Sequence, residues 1–314
     1  MTSPHHRPFR FGVVASLAAH DDHPEQLAGR AESLGYATFL VTDHLGPRLA
    51  PLPVLVAAAG AAPTLRVGTL VLGNDFRHPA LMAMETATVD TLTGGRFELG
   101  LGTGWLASDY DAIGLLLDGG GTRIERLEEA LDVIAGVWSG DPFRHAGRHY
   151  QVALDGGSVP TQRPHPPLLL AGSGRRMLTL AGERADIVSL TTTVGVDERG
   201  GFWAAAIASG SALDDKVSWV RRAAGERWRD LELNVIVHHS EVTDDVESAA
   251  RRAADGVPGD PMRALDSPHV LLGSIDRIVD TLEERRDRFG ISYLAVPTGA
   301  MDELGPVVAR LTGR

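Results

Sequence analysis

Short, almost wholly apolar runs alternate along the chain with longer stretches in which apolar residues recur every three to four positions. Residues 10–15 (RFGVVA), 38–42 (TFLVT), 65–72 (LRVGTLVL) and 96–101 (RFELGL) read as strands. Between them lie segments of helical period. Residues 24–34 place Leu27, Ala31 and Leu34 on one face before a stop at Gly35, and residues 79–92 end at Gly94 and Gly95. The clearest helix is 123–138, where Ile124, Leu127, Leu131, Ile134 and Trp138 follow the spacing 3, 4, 3, 4 and Gly140 ends the run. The second half repeats the pattern. Strands fall at 167–171, 186–190, 231–238 and 292–296, with helices at 175–183 and through Ile275, Ile278, Val279, Leu282 and Phe289.

Eight nearly all-apolar strands in a βαβα order predict an α/β protein with a parallel sheet covered by helices, best closed as a (βα)8 TIM barrel. The alternative is an open doubly wound sheet. Residues 1–314 are expected to form one domain, with residues 1–8 a flexible tail. Residues 141–166 and 194–230 are too long for ordinary barrel loops and read as insertions, which in such barrels build the substrate pocket.

Composition narrows the chemistry. The absence of cysteine excludes disulfides, iron–sulfur clusters, thiolate zinc sites and thiol nucleophiles. A net charge of −11 argues against nucleic acid as a partner. The longest apolar stretch, 52–62, is interrupted by Pro53 and Gly60 and is too short to span a bilayer. The N-terminus carries no apolar signal core, so the expected location is the cytoplasm.

Four features bear on function. Asp43 and His44 directly follow the second strand, where barrel enzymes collect working residues. The carboxylate can orient the imidazole, although an Asp cap beside a structural His is the plainer reading. Glycines 100, 102 and 104, at the end of the fourth strand, let the backbone pass close to a flat ring or to another segment. They do not form a dinucleotide fingerprint, because Trp105 stands where the last glycine would be needed. Gly172–Ser173–Gly174 leads into a helix with Arg175 and Arg176, a setting for an anion or simply a βα turn. The fourth feature is a strand running into the polar loop GNDFRHP (73–79). The histidines lack metal-ligand spacing, so no metal is expected.

Taken in order, FLVTDHL, GTLVLGNDFRHPALMAMETATVDTLTGGRFELGLGTGW, PHPPLLLAGSGRRML and GSIDRIVDTLEERRDRFGISYLAVP resemble the bacterial luciferase-like monooxygenase superfamily, in particular its branch using the deazaflavin coenzyme F420. Richness in Ala, Arg and Gly fits an actinobacterial source and deazaflavin use. The resemblance implies a TIM barrel with the cofactor ring at its C-terminal mouth. It matches Asp43 to a ring contact, His44 to the acid/base, and Leu70–Val71 to a non-prolyl cis peptide backing the ring. Gly73, Thr103, Gly104 and Ser108 join the ring site, while Ser173, Gly174, Arg176 and Met177 fall on the phosphate loop.

One departure stands out. The sugar-phosphate dehydrogenases of this branch carry a catalytic Glu where Trp105 stands, and their phosphate-binding lysines have no clear match. An aromatic wall at Trp105 points instead to a flat or apolar small molecule. The reading is therefore an F420-dependent oxidoreductase, in which His44, oriented by Asp43, moves the proton that accompanies hydride transfer. The resemblance also implies a homodimer and a separate F420- or flavin-reducing enzyme as electron source. Three alternatives remain: a monooxygenase using reduced FMN, a non-catalytic flavin- or deazaflavin-binding barrel and, third, a metal-dependent barrel hydrolase.

Overall fold

The computed structural model describes residues 7–18, 23–192, 211–255 and 259–314. Most of the expected N-terminal tail (residues 1–6) and part of the second insertion (194–210) lie outside the described residues. The chain forms two compact units, one of Val14–Glu32 and Thr38–Leu170, the other of Met1–Val13, Ser33–Ala37 and Ala171–Arg314. The first strand is β1 (Arg10–Ala15), followed by helix α1 (Pro24–Ser33).

In the unit that includes Thr38–Leu170, β2 (Thr38–Val41) pairs in parallel with β3 (Arg66–Thr69). Between them runs α2 (Pro51–Ala61), which sequence periodicity does not reveal. Its sequence, PLPVLVAAAGA, is apolar on every face and therefore has no period to detect, while proline in its first turn sets its start.

The expected strand at 65–72 divides in two: β3 is followed by β4 (Leu72–Gly73), with a cis peptide at Leu70–Val71 between them. Both pieces pair with β5 (Phe97–Gly102), Gly68 opposite Glu98 and Leu72 opposite Leu101. Four steps on one strand thus face three on the other, so the single-strand expectation gives way to a bulge of one residue. The glycines of β5 make room for it. A Cβ on Gly100 would lie 1.9 Å from the Thr69 carbonyl oxygen, and one on Gly102 would lie 2.8 Å from a Val71 methyl.

Helix α3 (Pro79–Leu92) starts at a side-chain cap in which His78 accepts from the Ala80 N–H at 3.2 Å. After the short α4 (Ala107–Ala112) comes α5 (Gly120–Trp138), whose Trp138 indole donates to the Ala83 carbonyl of α3 at 3.0 Å. The first insertion contains an antiparallel hairpin, β6 (Phe143–Ala146) and β7 (Gln151–Leu154). Glu129 of α5 anchors its turn by accepting from the backbone N–H groups of His149 and Tyr150, at 2.9 and 2.7 Å.

In the other unit, β9 (Ile187–Leu190), β10 (Glu232–Ile236) and β13 (Ile291–Pro297) pair in parallel. The strand expected to run to His238 stops at Ile236, and residues His239–Val242 (β11) pair instead with Val270–Gly273 (β12) in a separate small sheet. The last long helix, Ile275–Phe289, begins at a Ser274 cap and ends on Gly290 in the left-handed conformation.

Candidate functional site

Asp43 and His44 extend from the end of β2, but they have different partners. Asp43 is almost wholly buried, and its carboxylate takes both arms of the Arg77 guanidinium, at 2.5 and 3.0 Å, plus the Gly73 N–H at 3.0 Å. Burial works against the Arg77 cation, but the hydrogen bond to Asp43 and its charge outweigh this and raise the Arg77 pKa. A bidentate pair of this kind fixes direction as well as charge.

His44 is oriented by Asp109, not by Asp43. Its Nδ1 lies 2.8 Å from Asp109 Oδ2, while Asp109 Oδ1 accepts from the Leu45 N–H at 3.2 Å. The physical reason is that Arg77 and Gly73 already engage the Asp43 carboxylate. Asp109 sits on α4, and the sequence offers no spacing rule linking it to His44, since the residues are 65 positions apart. Trp105, 38% exposed, meets the His44 ring edge-on with centroids 6.0 Å apart and planes at 90°.

The segment after β5 is held by its carbonyls. Tyr110 Oη lies 3.1 Å from the Thr103 carbonyl oxygen and 3.0 Å from Asp75, and Arg123 donates to the carbonyls of Thr103 and Gly104. Burial, followed by the Asp75 charge, pushes the Tyr110 phenol well above its ordinary pKa, so it stays a neutral hydroxyl. Gly104 has φ +74°, and a Cβ there would lie 2.1 Å from the Tyr110 hydroxyl. Arg126 bridges Asp75 and Asp118, tying the loop after β4 to α5.

One unit thus gathers Asp43, His44, Leu70, Val71, Gly73, Thr103, Gly104 and Trp105, with Arg77, Asp109 and Tyr110 added by the structure. Ser108 is exposed on α4. Ser173, Gly174, Arg176 and Met177 belong to the other unit, at the turn from β8 (Leu168–Gly172) into α6 (Arg175–Arg184). Gly174 caps α6 without a side-chain hydrogen bond, which leaves the first-turn N–H groups without a side-chain cap. Met177 is buried, and its Cγ lies 2.3 Å from where a Cβ on Gly172 would project.

Two orphaned oxygens in this unit are groups that a flat, polar-edged ring would satisfy. At the bulge Leu70 is buried and Val71 half-buried, its methyls close to Gly100 and Gly102, and Thr42 Oγ1 and Asn74 Oδ1 are buried side-chain oxygens with no hydrogen-bond partner among the described residues. Among the described residues no group of three or more His, Asp or Glu could hold a metal ion, and no helix is long and apolar enough to cross a membrane.

A family model described as luciferase-like monooxygenase matches residues 11–278. An F420-dependent glucose-6-phosphate dehydrogenase from Microbacterium testaceum is 32% identical over 201 residues, covering 60% of this chain and 58% of that protein. The chain therefore aligns with less than two thirds of that relative's length. Among solved structures, the coenzyme F420-dependent tetrahydromethanopterin reductase from Methanopyrus kandleri superposes with a TM-score of 0.74 at 18% identity, over 98% of this chain and 100% of that one. A riboflavin lyase with modified FMN and riboflavin superposes with a TM-score of 0.76 at 14% identity, over 97% and 91%. These likenesses establish the fold, the (βα)8 TIM barrel of luciferase-like enzymes.

Proposed function

The chain belongs to the luciferase-like monooxygenase family, and we propose that within it the protein is an oxidoreductase using coenzyme F420 to move a hydride to or from a small organic substrate. The observation that carries this reading is the anchored imidazole of His44, tied through Nδ1 to Asp109 and standing at the strand end next to Asp43. The 32% identity to F420-dependent glucose-6-phosphate dehydrogenase supports the choice of cofactor.

Bound F420 would supply the hydride chemistry; the protein binds, orients and manages the proton. Leu70 and Val71 offer an apolar bed, and Asp43, its charge balanced by Arg77, offers a fixed polar edge together with Gly73. Thr103 and Gly104 are held by Tyr110 and Arg123 and do not have to be ordered on binding. The turn at Ser173 and Gly174, with Arg176, offers N–H groups and positive charge for a phosphate. His44 gives or takes the proton that accompanies hydride transfer.

Trp105 cannot exchange a proton at neutral pH, so the His/Glu pairing of the sugar-phosphate dehydrogenases is missing and a flat or apolar substrate is favoured. A separate F420-reducing enzyme supplies electrons if the protein acts as a reductase. A homodimer fits the apolar outer faces of two neighbouring helices: exposed Pro53 and Gly60 with half-buried Val56 and Ala57 on α2, and exposed Leu81, Met84 and Leu92 on α3.

Fluorescence titration tests the cofactor. F420 emission should be quenched saturably by the protein at micromolar concentration, whereas reduced or oxidised FMN should not bind comparably. Preferential FMN binding would replace this reading with that of a reduced-flavin monooxygenase, which draws support from the likeness to riboflavin lyase.

A further inference from the structure

We propose that Asp109 is a positioning residue that holds His44 in its Nδ1–H tautomer, so that Nε2 is the nitrogen offered to the reaction. The inference rests on the reading of His44 as the proton carrier.

The two oxygens of Asp109 have separate tasks. Oδ1 accepts from the Leu45 N–H at 3.2 Å, and Oδ2 lies 2.8 Å from His44 Nδ1. A backbone N–H only donates, and a carboxylate only accepts, so Nδ1 carries the hydrogen and the neutral ring keeps its lone pair on Nε2. The Leu45 contact comes from the residue next to His44, so the carboxylate is fixed relative to the backbone that bears the ring. Its side chain is only 8% exposed, which leaves water little access to compete for these oxygens. Trp105, perpendicular to the imidazole, limits how far the ring can swing. Asp43 does not take this role: its carboxylate is turned to Arg77 and Gly73.

This arrangement makes Asp109→Asn a sharp test. The variant amide must place its oxygen toward the Leu45 N–H, which turns its NH2 toward His44 Nδ1. Nδ1 then has to accept, and the ring proton moves to Nε2. The shape of the side chain hardly changes, and Asp109→Glu serves as a second variant that keeps the carboxylate.

The measurement is ring ¹⁵N correlation spectroscopy on the full chain labelled with ¹⁵N-histidine, without cofactor and above the imidazole titration. His44→Gln identifies the signal among the 12 histidines. The wild type should show the Nδ1–H tautomer, Asp109→Asn the Nε2–H tautomer, and Asp109→Glu the wild-type pattern. With cofactor and substrate, Asp109→Asn should lose turnover by roughly 10²–10⁴-fold while F420 affinity stays within about tenfold, and Asp109→Glu should recover part of the loss. A wild-type Nε2–H tautomer, an unchanged tautomer in Asp109→Asn, or turnover within about twofold of wild type would overturn the proposal. Absence of F420 binding alongside the expected tautomers would defeat the cofactor reading and leave the positioning role of Asp109 standing.

Discussion

Arg77 holds both carboxylate oxygens of Asp43, at 2.5 and 3.0 Å, while the next residue in the chain, His44, pairs with Asp109. Adjacent in sequence, Asp43 and His44 thus serve separate networks. The Asp43–Arg77 pair is poorly exposed, with side chains 5% and 23% accessible, so removing one partner leaves a buried charge uncompensated. Arg77→Ala is expected to lower unfolding stability by about 3 kcal/mol and to abolish cofactor binding. Urea denaturation compared with wild type checks the first, and fluorescence titration the second.

His44→Ala removes the proposed proton carrier and leaves the partners of Asp43 and Arg77 in place. Turnover should fall by roughly 10²–10⁴-fold while cofactor affinity changes by less than about tenfold. Steady-state kinetics together with binding titration separate the two. Unchanged turnover would take His44 out of the mechanism.

The bulge at Leu70–Val71 depends on β5 having no side chain at position 100. Gly100→Ala would drive a Cβ into the Thr69 carbonyl, a backbone atom with nowhere to move, and should cost more than about 3 kcal/mol. Gly29→Ala is the control. Nothing lies within 4 Å of a Cβ there, and Gly29 is inside α1, so a gain of about 0.5–1 kcal/mol is expected. Thermal melts of the two variants should move in opposite directions.

A histidine pair, His269 buried and His238 half-buried, gives the fold an acid-side weakness. The rings of His238 and His269 stack with centroids 5.3 Å apart. Burial lowers His238 to about 4, and burial with His238 and other cations nearby lowers His269 to about 3. The unfolded chain protonates these rings near pH 6.5, whereas the folded state keeps them neutral. Their contribution is therefore complete above about pH 6.5 and is lost as the pH falls toward 4, by up to about 1.4 kcal/mol per pH unit for each ring. Stability measured from pH 7 to 4.5 should fall less steeply in His238→Gln than in wild type. Parallel curves would refute this account.

The proposed homodimer can be tested at the apolar faces of α2 and α3. Leu81, Met84 and Leu92 are 54%, 47% and 64% exposed, and α2 carries no charged residue. Met84→Asp combined with Val56→Glu should convert a dimer to a monomer at micromolar concentration, as read by sedimentation equilibrium. A wild type that is already monomeric, or an unaffected dimer, would show that these faces do not join two copies.

The strand–helix alternation is legible because most strands of the large sheet are predominantly apolar and the helices at 79–92 and 123–138 have clear caps or periods. Helix α2 is not, since an all-apolar helix carries no period. The sequence at 65–72 reads as one continuous strand because hydrophobicity records burial, not hydrogen-bond register, and the bulge exists only against β5. Among the site residues, sequence motifs point to Asp43, His44 and the Leu70–Val71 bond, and the last of these is a cis peptide.

The sequence by itself determined the alternation of the main strands and helices, the absence of thiol chemistry and the membership of a family, since all of these are properties of local pattern and composition. The tertiary structure alone decided which charge answers which. Hydrogen-bond partners are set by direction and distance, so Asp43 went to Arg77, and His44 to an aspartate 65 residues away.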